Sequence, residues 1–466
     1  MQASVGHALF NSLLQTSNAL VTASLNFLLM LVYARVLGPE RLGSLVTSQA
    51  QVLIWVMFID LGLSTGLIGA LTRVEADKAG DSRQSFRALD LILQVLWIRL
   101  IGAILGSVIV TTLAYRHAKQ NGEFHWDMFW QNIAFLPHLF ALALHQTTSA
   151  YALFRGRQLL AISANLAGIV VTVFCTMYLA LTGHNNALLL VSQSWGGFLT
   201  AMIIVSTFWQ RPHHNSDDNI RLTKNKGPWK QNALAALLVD VWPYTLVLAT
   251  IIIWQRLDQI SASHFLGFEA GGQYALAIRI VAIPILMSNA VSIALFPDLQ
   301  RIGRDAPHKM AVYVGAIGKF CVRYGMILVV LSLALLAAIV VPILPKFGAA
   351  LKLLPWFVPG VWCYWVYNFM VSSLFGVRKY KQIAKIHLAA LLFYVISLPL
   401  LTPHLGLVGV ILSYDVFCIS LFSLTFMALK RNGILTKNFK LTSGFSPEEL
   451  LLWQAVRGKV SSFLRR

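Results

Sequence analysis

The sequence predicts an all-α integral membrane protein of about twelve transmembrane helices, arranged as two six-helix lobes with an amphipathic helix at the C-terminal end. Three observations carry this. Of the 466 residues 57% are hydrophobic and 12% charged, against about a quarter charged in soluble proteins; mean hydropathy is +0.68. The apolar residues fall in blocks of roughly 20 or more, enough to cross a ~30 Å hydrocarbon layer at 1.5 Å per residue. The second half of the chain repeats the punctuation of the first.

The blocks place spans at about 9–34, 44–70, 88–114, 128–150, 160–182, 187–209, 233–256, 272–296, 312–340, 353–374, 385–401 and 406–429. Met1 to Phe10 lacks the basic cluster of a cleavable signal, so the first span is expected to be retained. Counted from a cytoplasmic N-terminus, the inner loops take most of the basic residues, among them Arg73, Arg83, Arg87, Arg155, Arg157, Lys224, Lys226, Arg301, Arg304, Arg378 and Lys379. The outer loops hold only Arg35, Arg41, Arg116, Lys119, Arg256, Lys346 and Lys352. This asymmetry puts both termini in the cytoplasm. The net charge of +19 therefore reads as membrane topology, and no nucleic-acid partner is expected.

Cys175, Cys321, Cys363 and Cys418 lie far apart in apolar segments, which fits neither a disulfide framework nor a zinc site. The longest polar interruption, Gln210 to Gln231, follows the sixth span and reads as a linker. Its His213, His214, Asp217 and Asp218 are read as a solvated loop, and no metal or cofactor is assigned. The organisation is thus an N-terminal lobe (1–209), a cytoplasmic linker (210–232), a C-terminal lobe (233–430) and a cytoplasmic tail (431–466).

The repeats support that division. Leu37-Gly38-Pro39-Glu40-Arg41-Leu42-Gly43 after span one is answered by Leu266-Gly267-Phe268-Glu269-Ala270-Gly271-Gly272 after span seven. Arg73 matches Arg301, and Leu153-Phe154-Arg155-Gly156-Arg157 matches Leu374-Phe375-Gly376-Val377-Arg378. Each half has an even number of spans, so the copies point the same way about an axis along the membrane normal, as in internally duplicated transporters. In the tail, Ser446-Pro447-Glu448-Glu449 reads as a helix start with a capping box. The following helix presents Leu452, Trp453, Val456, Val460, Phe463 and Leu464 on one face. It is expected to lie on anionic membrane lipid or to pack on cytoplasmic loops.

Polar residues inside spans are the candidate functional groups. Asn11, Gln15, Asn18, Thr22 and Asn26 share one stripe of span one at about 100° per residue. The stripe faces a polar lumen or glues helices together. Arg99, Arg279, Lys319 and Arg323 are basic groups in spans, where a charge costs several kcal/mol. Lys319 and Arg323 lie close enough to the cytoplasm to snorkel. Arg279, deeper and just before Pro284, is the leading anion ligand, because a permanently charged guanidinium matches phosphate oxygens in bidentate fashion. An ion pair of Arg279 with Asp258 or Asp240 is the alternative, and a salt bridge would likewise satisfy Arg99. Asp60, Asp240, Asp258 and Asp415 are candidates for binding a coupling ion or for structural pairing. No P-loop, nucleotide-binding glycine fingerprint, HExxH or GxSxG motif occurs. The longest outer stretch, Tyr115 to Asp127, offers only Glu123 and Asp127 for acid–base chemistry, so an enzyme is not expected.

Arg35 with Leu37 to Gly43 resembles the first-loop signature of polysaccharide flippases in the multidrug/oligosaccharidyl-lipid/polysaccharide exporter (MOP) superfamily. Asp258, Leu266-Gly267 and Gly272-x-Tyr274 resemble the matching signature of the second half. Phe296-Pro297 and Gly406-Leu407-Val408-Gly409 also look like family features. The resemblance, to Wzx-type O-antigen and exopolysaccharide translocases, covers nearly the whole chain apart from its tail. It implies a bacterial inner-membrane protein with two six-helix lobes around a cationic cavity that opens to each side in turn. It further implies an undecaprenyl-diphosphate-linked oligosaccharide as cargo for lipopolysaccharide or exopolysaccharide biosynthesis, with other glycan assembly proteins as candidate partners. On this reading Arg279 meets the anionic headgroup, Arg99 and Arg323 supply positive potential elsewhere in the cavity, and Asn11, Gln15, Asn18 and Asn26 face the sugar. Span one is neutral up to Arg35, unlike the lipid II flippases, which carry several arginines there. The rival expectations are a cation-coupled small-molecule exporter resting on Asp60 or Asp240, a membrane glycosyltransferase or polymerase, and a non-transporting scaffold.

Overall fold

The computed structural model describes residues 2–64, 67, 71, 84–119, 126–155, 157–209, 232–305, 307–377, 379–435, 444 and 447. The described helices are α1 (Gln2–Leu53), α2 (Val56–Asp60), α3 (Gln84–Ala118), α4 (Trp126–Phe135), α5 (Pro137–Phe154), α6 (Gln158–Leu181) and α7 (Asn186–Trp209). They continue with α8 (Asn232–Leu266), α9 (Phe268–Asp305), α10 (Pro307–Ile343), α11 (Gly348–Leu353), α12 (Val358–Gly376), α13 (Tyr380–Leu405) and α14 (Leu407–Arg431). The linker, with His213, His214, Asp217 and Asp218, and the tail helix expected from Ser446 lie outside the described residues.

Among the described residues, 8 helical stretches are long and apolar enough to cross a membrane. One of them, Leu20–Asp60, covers two expected spans, and three further expected spans fall on α4 with α5, on α8 and on α12. Twelve spans are thereby accounted for, and the protein is an all-α, multi-pass membrane protein.

Two junctions show how the sequence sets the boundaries. Gly38 sits in α1 at φ 74°, ψ 176°, a left-handed conformation that costs glycine nothing. The following Pro39 fits a helix's first turn, so α1 is two helices meeting at a turn. Gly267, at φ 87°, separates α8 from α9. These are the equivalent glycines of the two repeated motifs, so the motifs recur because each builds the same turn. The fourth span differs from the single helix expected over 128–150. It is broken at Leu136, and α5 begins at Pro137, whose missing N–H is tolerated only in a first turn.

The chain groups into two compact units, Met1–Ile260 and Ser261–Arg466. In the first, α6 and α7 pack through small residues. A Cβ on Gly168 would run into Thr200 and the Gly196 carbonyl, and one on Gly196 into Thr172 and the Gly168 carbonyl. The threonines turn their hydroxyls onto their own helices, Thr172 to Gly168 O at 2.9 Å and Thr200 to Gly196 O at 2.8 Å. Ser192 Oγ donates to Thr176 Oγ1 at 3.0 Å across the pair. With lipid as solvent, helices associate by such close packing rather than by exclusion of water. In the second unit α12 is the central helix, buried from Gly360 through Leu374 apart from Trp362, with α9, α10 and α14 around it.

Gly196→Val is expected to destabilise the protein by about 1–3 kcal/mol, because it forces α6 and α7 apart. Gly348→Ala, with open space around its Cβ, should stay within about 0.5 kcal/mol of the parent. Thermal unfolding in detergent checks both.

Candidate functional site

The second span is interrupted inside the first unit. The helix ending at Leu53 gives way to a turn at Ile54–Trp55, and α2 then stops at Leu61. Leu61 (φ 43°) and Gly62 (φ 68°) both adopt the left-handed conformation. For a branched residue such as Leu61 this costs on the order of 1–3 kcal/mol. A break of this kind also frees backbone donors and acceptors that hydrocarbon cannot satisfy, so protein groups must do so.

They do so by side chains. Thr245 of α8 donates its hydroxyl to the Leu61 carbonyl at 2.6 Å. The Asp60 carboxylate accepts the Ser64 N–H at 3.2 Å and the Ser64 hydroxyl at 2.5 Å, the arrangement of a side chain capping a restarting helix. Packing around the break is close, since a Cβ on Gly62 would sit 3.2 Å from Thr245 Oγ1 and one on Gly102 would meet the Phe58 carbonyl.

Arg99 of α3 completes the site. Its side chain is fully buried, and Nη2 lies 3.1 Å from Asp60 Oδ1. The same nitrogen donates to Ser64 Oγ at 2.8 Å, and Nη1 to Thr147 Oγ1 of α5 at 2.9 Å. Nε has no partner among the described residues. Asp60 and Arg99, singled out separately in the sequence, are thus brought together as one ion pair over a helix break.

Sequence reasoning passed over α5. His138, His145 and Ser149 fall on one face at about 100° per residue, and His138 Nδ1, His145 Nδ1 and Ser149 Oγ are buried without a partner among the described residues. His138 stacks on Phe135 at 4.7 Å between centroids, and His145 lies within electrostatic reach of Arg99. Two histidines seven apart in the apolar run Pro137-His138-Leu139-Phe140-Ala141-Leu142-Ala143-Leu144-His145 were the available signal. A second chain of polar groups runs from Gln49 to Gln193 (2.7 Å) and on to Tyr33 (2.8 Å).

The other candidates are dispersed. In the span-one stripe, Asn18 accepts a hydrogen bond from Asn165 of α6 at 3.3 Å, Thr22 Oγ1 is buried without a partner among the described residues, and Asn26 is exposed. The Asn11 and Gln15 side chains lie outside the described residues, as does that of Asp240. Asp258 is buried and accepts the Gln259 N–H at 2.6 Å. In the second unit Arg279 is half-buried on α9, eleven residues past Phe268, about 16 Å along the helix axis. Arg323 is exposed on α10, whereas Lys319 is buried and donates to the Gly444 carbonyl at 2.9 Å. Asp415 of α14 is 5% exposed. It accepts the Gly360 N–H at the start of α12, and its Oδ1 has no partner among the described residues.

Removing one member of the Asp60–Arg99 pair strands the other charge, at a cost of about 3–5 kcal/mol. Asp60→Asn and Arg99→Met are each expected to lower the unfolding temperature in detergent more than the double variant does. Additive losses would mean that the two residues do not act as a pair.

Comparison with known proteins places this geometry. Residues 9–302 match the family described as polysaccharide biosynthesis protein. No curated protein matches the chain. Among solved structures, the lipid II flippase MurJ in an inward closed conformation is similar at a TM-score of 0.66 and 13% identity, over 89% of this chain and 86% of that one. An inward-facing multidrug resistance MATE family transporter of the MOP superfamily gives 0.65 and 15%, over 88% and 94%. The MATE multidrug transporter DinF-BH in complex with R6G gives 0.62 and 14%, over 90% and 94%. At these identities the likeness is one of fold. With the family match extending over more than half its length, the chain belongs to the polysaccharide biosynthesis protein family and is built on the fold of MOP-superfamily transporters.

Proposed function

We propose that the protein flips an undecaprenyl-diphosphate-linked oligosaccharide across the bacterial inner membrane by alternating access, supplying O-antigen or exopolysaccharide assembly. Family membership and the transporter fold support cargo of the lipid-linked saccharide class. The observation that carries the choice of ligand is Arg279, a half-buried guanidinium about 16 Å along a membrane-spanning helix. A charge at that depth is expensive unless it faces protein or a polar passage, and a guanidinium is matched to paired phosphate oxygens.

In this mechanism residues 1–209 and 233–430 act as two lobes joined by the 210–232 linker, with the 431–466 tail and both termini in the cytoplasm. Arg279 binds the diphosphate and Arg323 adds positive potential. Arg99 is committed through both Nη atoms to Asp60, Ser64 and Thr147, which leaves Nε for any role with substrate. Asn11, Gln15, Asn18 and Asn26 offer amides to the sugar. Asp415 is our preferred coupling carboxylate, because it is buried with an oxygen that no described group satisfies. Asp60 instead already has a cation on it.

Arg279→Ala is expected to abolish surface glycan export while membrane insertion stays normal. Arg279→Lys should restore only part of it, because an ammonium is a point charge without the planar fork. Full export by Arg279→Ala would remove Arg279 from the mechanism. In proteoliposomes Asp415→Asn is expected to eliminate the response of transport to an imposed proton or sodium gradient. An unchanged response would move coupling to another residue.

A further inference from the structure

α12, the central helix of the second unit, begins without a cap of its own. The N–H groups of a helix's first turn have no intrahelical acceptor, and the residue before that turn commonly supplies one from its side chain. Here that residue is Phe357, which has none to offer, and Pro359 removes one of the donors. Gly360 carries the next N–H, and the Asp415 carboxylate of α14 accepts it. Asp415 is therefore a cap lent by a neighbouring helix, held at the positive end of α12.

The seat exists because Gly360 has no side chain. A Cβ there would collide with Asp415 Oδ1 and stand 3.0 Å from the Asp415 Cα. Asp415 is 5% exposed, its Oδ1 has no partner, and no cation pairs with it among the described residues. The titratable groups in electrostatic reach are Cys363, one turn along α12, and Cys418, one turn along α14. On α13, also packed against α14, Tyr394 meets Phe417 and His387 bonds to Tyr367. The turn Leu354–Phe357, the next element against α14, carries no titratable side chain. A buried carboxylate without a counter-ion is costly when charged, and the end of α12 offsets that cost. Because Oδ1 is enclosed, a proton fits there without added volume. A hard metal cation needs room for several oxygen ligands and would meet two thiols.

We propose that Gly360 is the positioning residue for Asp415 and that the ion exchanged there is a proton. The inference rests on the assignment of Asp415 as the coupling carboxylate. The ionised carboxylate holds the first turn of α12. A proton taken from the aqueous phase onto Oδ1 leaves a neutral acid, whose bond from the Gly360 N–H is weaker, and its return to water restores the hold. Proton uptake thus loosens the grip of α14 on the central helix.

The test follows purified full-length protein by infrared difference spectroscopy as pH is lowered, reading the C=O stretch of a protonated carboxyl. Wild type is expected to gain a band that Asp415→Asn lacks. In Gly360→Ala the new Cβ pushes the carboxylate off the N–H, so the anion loses a charge-assisted hydrogen bond and takes its proton at higher pH. The midpoint of the band should rise by about one pH unit, a tenfold change in proton affinity. The pH of half-maximal transport in proteoliposomes should rise with it. A glycine needed only for packing would lower the unfolding temperature and leave both midpoints in place, which would overturn the proposal. So would wild type without an Asp415 band, a comparison that stands even if Gly360→Ala does not fold, or transport driven by a sodium gradient at equal pH. Gradient response lost in Asp415→Asn with an unmoved Gly360→Ala midpoint removes Gly360 alone. A raised midpoint with the response intact in Asp415→Asn removes the coupling role and upholds the seat.

Discussion

The ion pair between Asp60 and Arg99 is the interaction on which the first unit's architecture depends. A helix that breaks inside hydrocarbon exposes backbone groups with no water to take them. Asp60 sits at the break as a cap, and Arg99 neutralises the carboxylate that caps. Thr147 and Thr245 bring α5 and α8 into the same arrangement. The strained Leu61 backbone persists because these neighbours over-determine it. At membrane depth such irregular backbone is tolerated where protein groups satisfy it, as side chains of α3, α5 and α8 do here.

Much of the fold was legible because the bilayer imposes a simple rule on sequence. Apolar runs of fixed length and the alternation of basic loops gave the spans. The Gly38 and Gly267 motifs gave the duplication, since both glycines serve a left-handed turn. What was not legible depended on neighbours distant in sequence. Asp60-Leu61-Gly62 reads as part of an ordinary apolar run, and only packing against Thr245 reveals the break. Asp60 and Arg99 were each identifiable as costly charges, but their pairing is 39 residues long-range, which hydropathy and periodicity do not encode. Pro137 was visible, yet whether a proline kinks a helix or starts a new one is decided by how the freed carbonyls are met.

Both units carry buried charge. In the first, carboxylate and guanidinium neutralise each other at a fixed place, which suits a scaffold. In the second, Arg279 is half-buried on α9 and Asp415 is buried on α14. A permanent cation suits binding of phosphate, and a buried carboxylate with an unsatisfied oxygen suits reversible binding of a small cation. On the proposed function, the permanent cation would hold the headgroup as it leaves water, and exchange of an ion at the carboxylate would release it.

The central claim is that this chain moves a diphosphate-linked glycan lipid between leaflets, and reconstitution tests it most directly. Purified protein in liposomes would be supplied with a fluorescent undecaprenyl-diphosphate oligosaccharide on one face, and accessibility of the glycan to a membrane-impermeant quencher or lectin would be followed from the other. Appearance of glycan on the far face only in protein-containing vesicles is the predicted result. Glycan that stays in its original leaflet, in vesicles whose protein is folded and inserted, would contradict it.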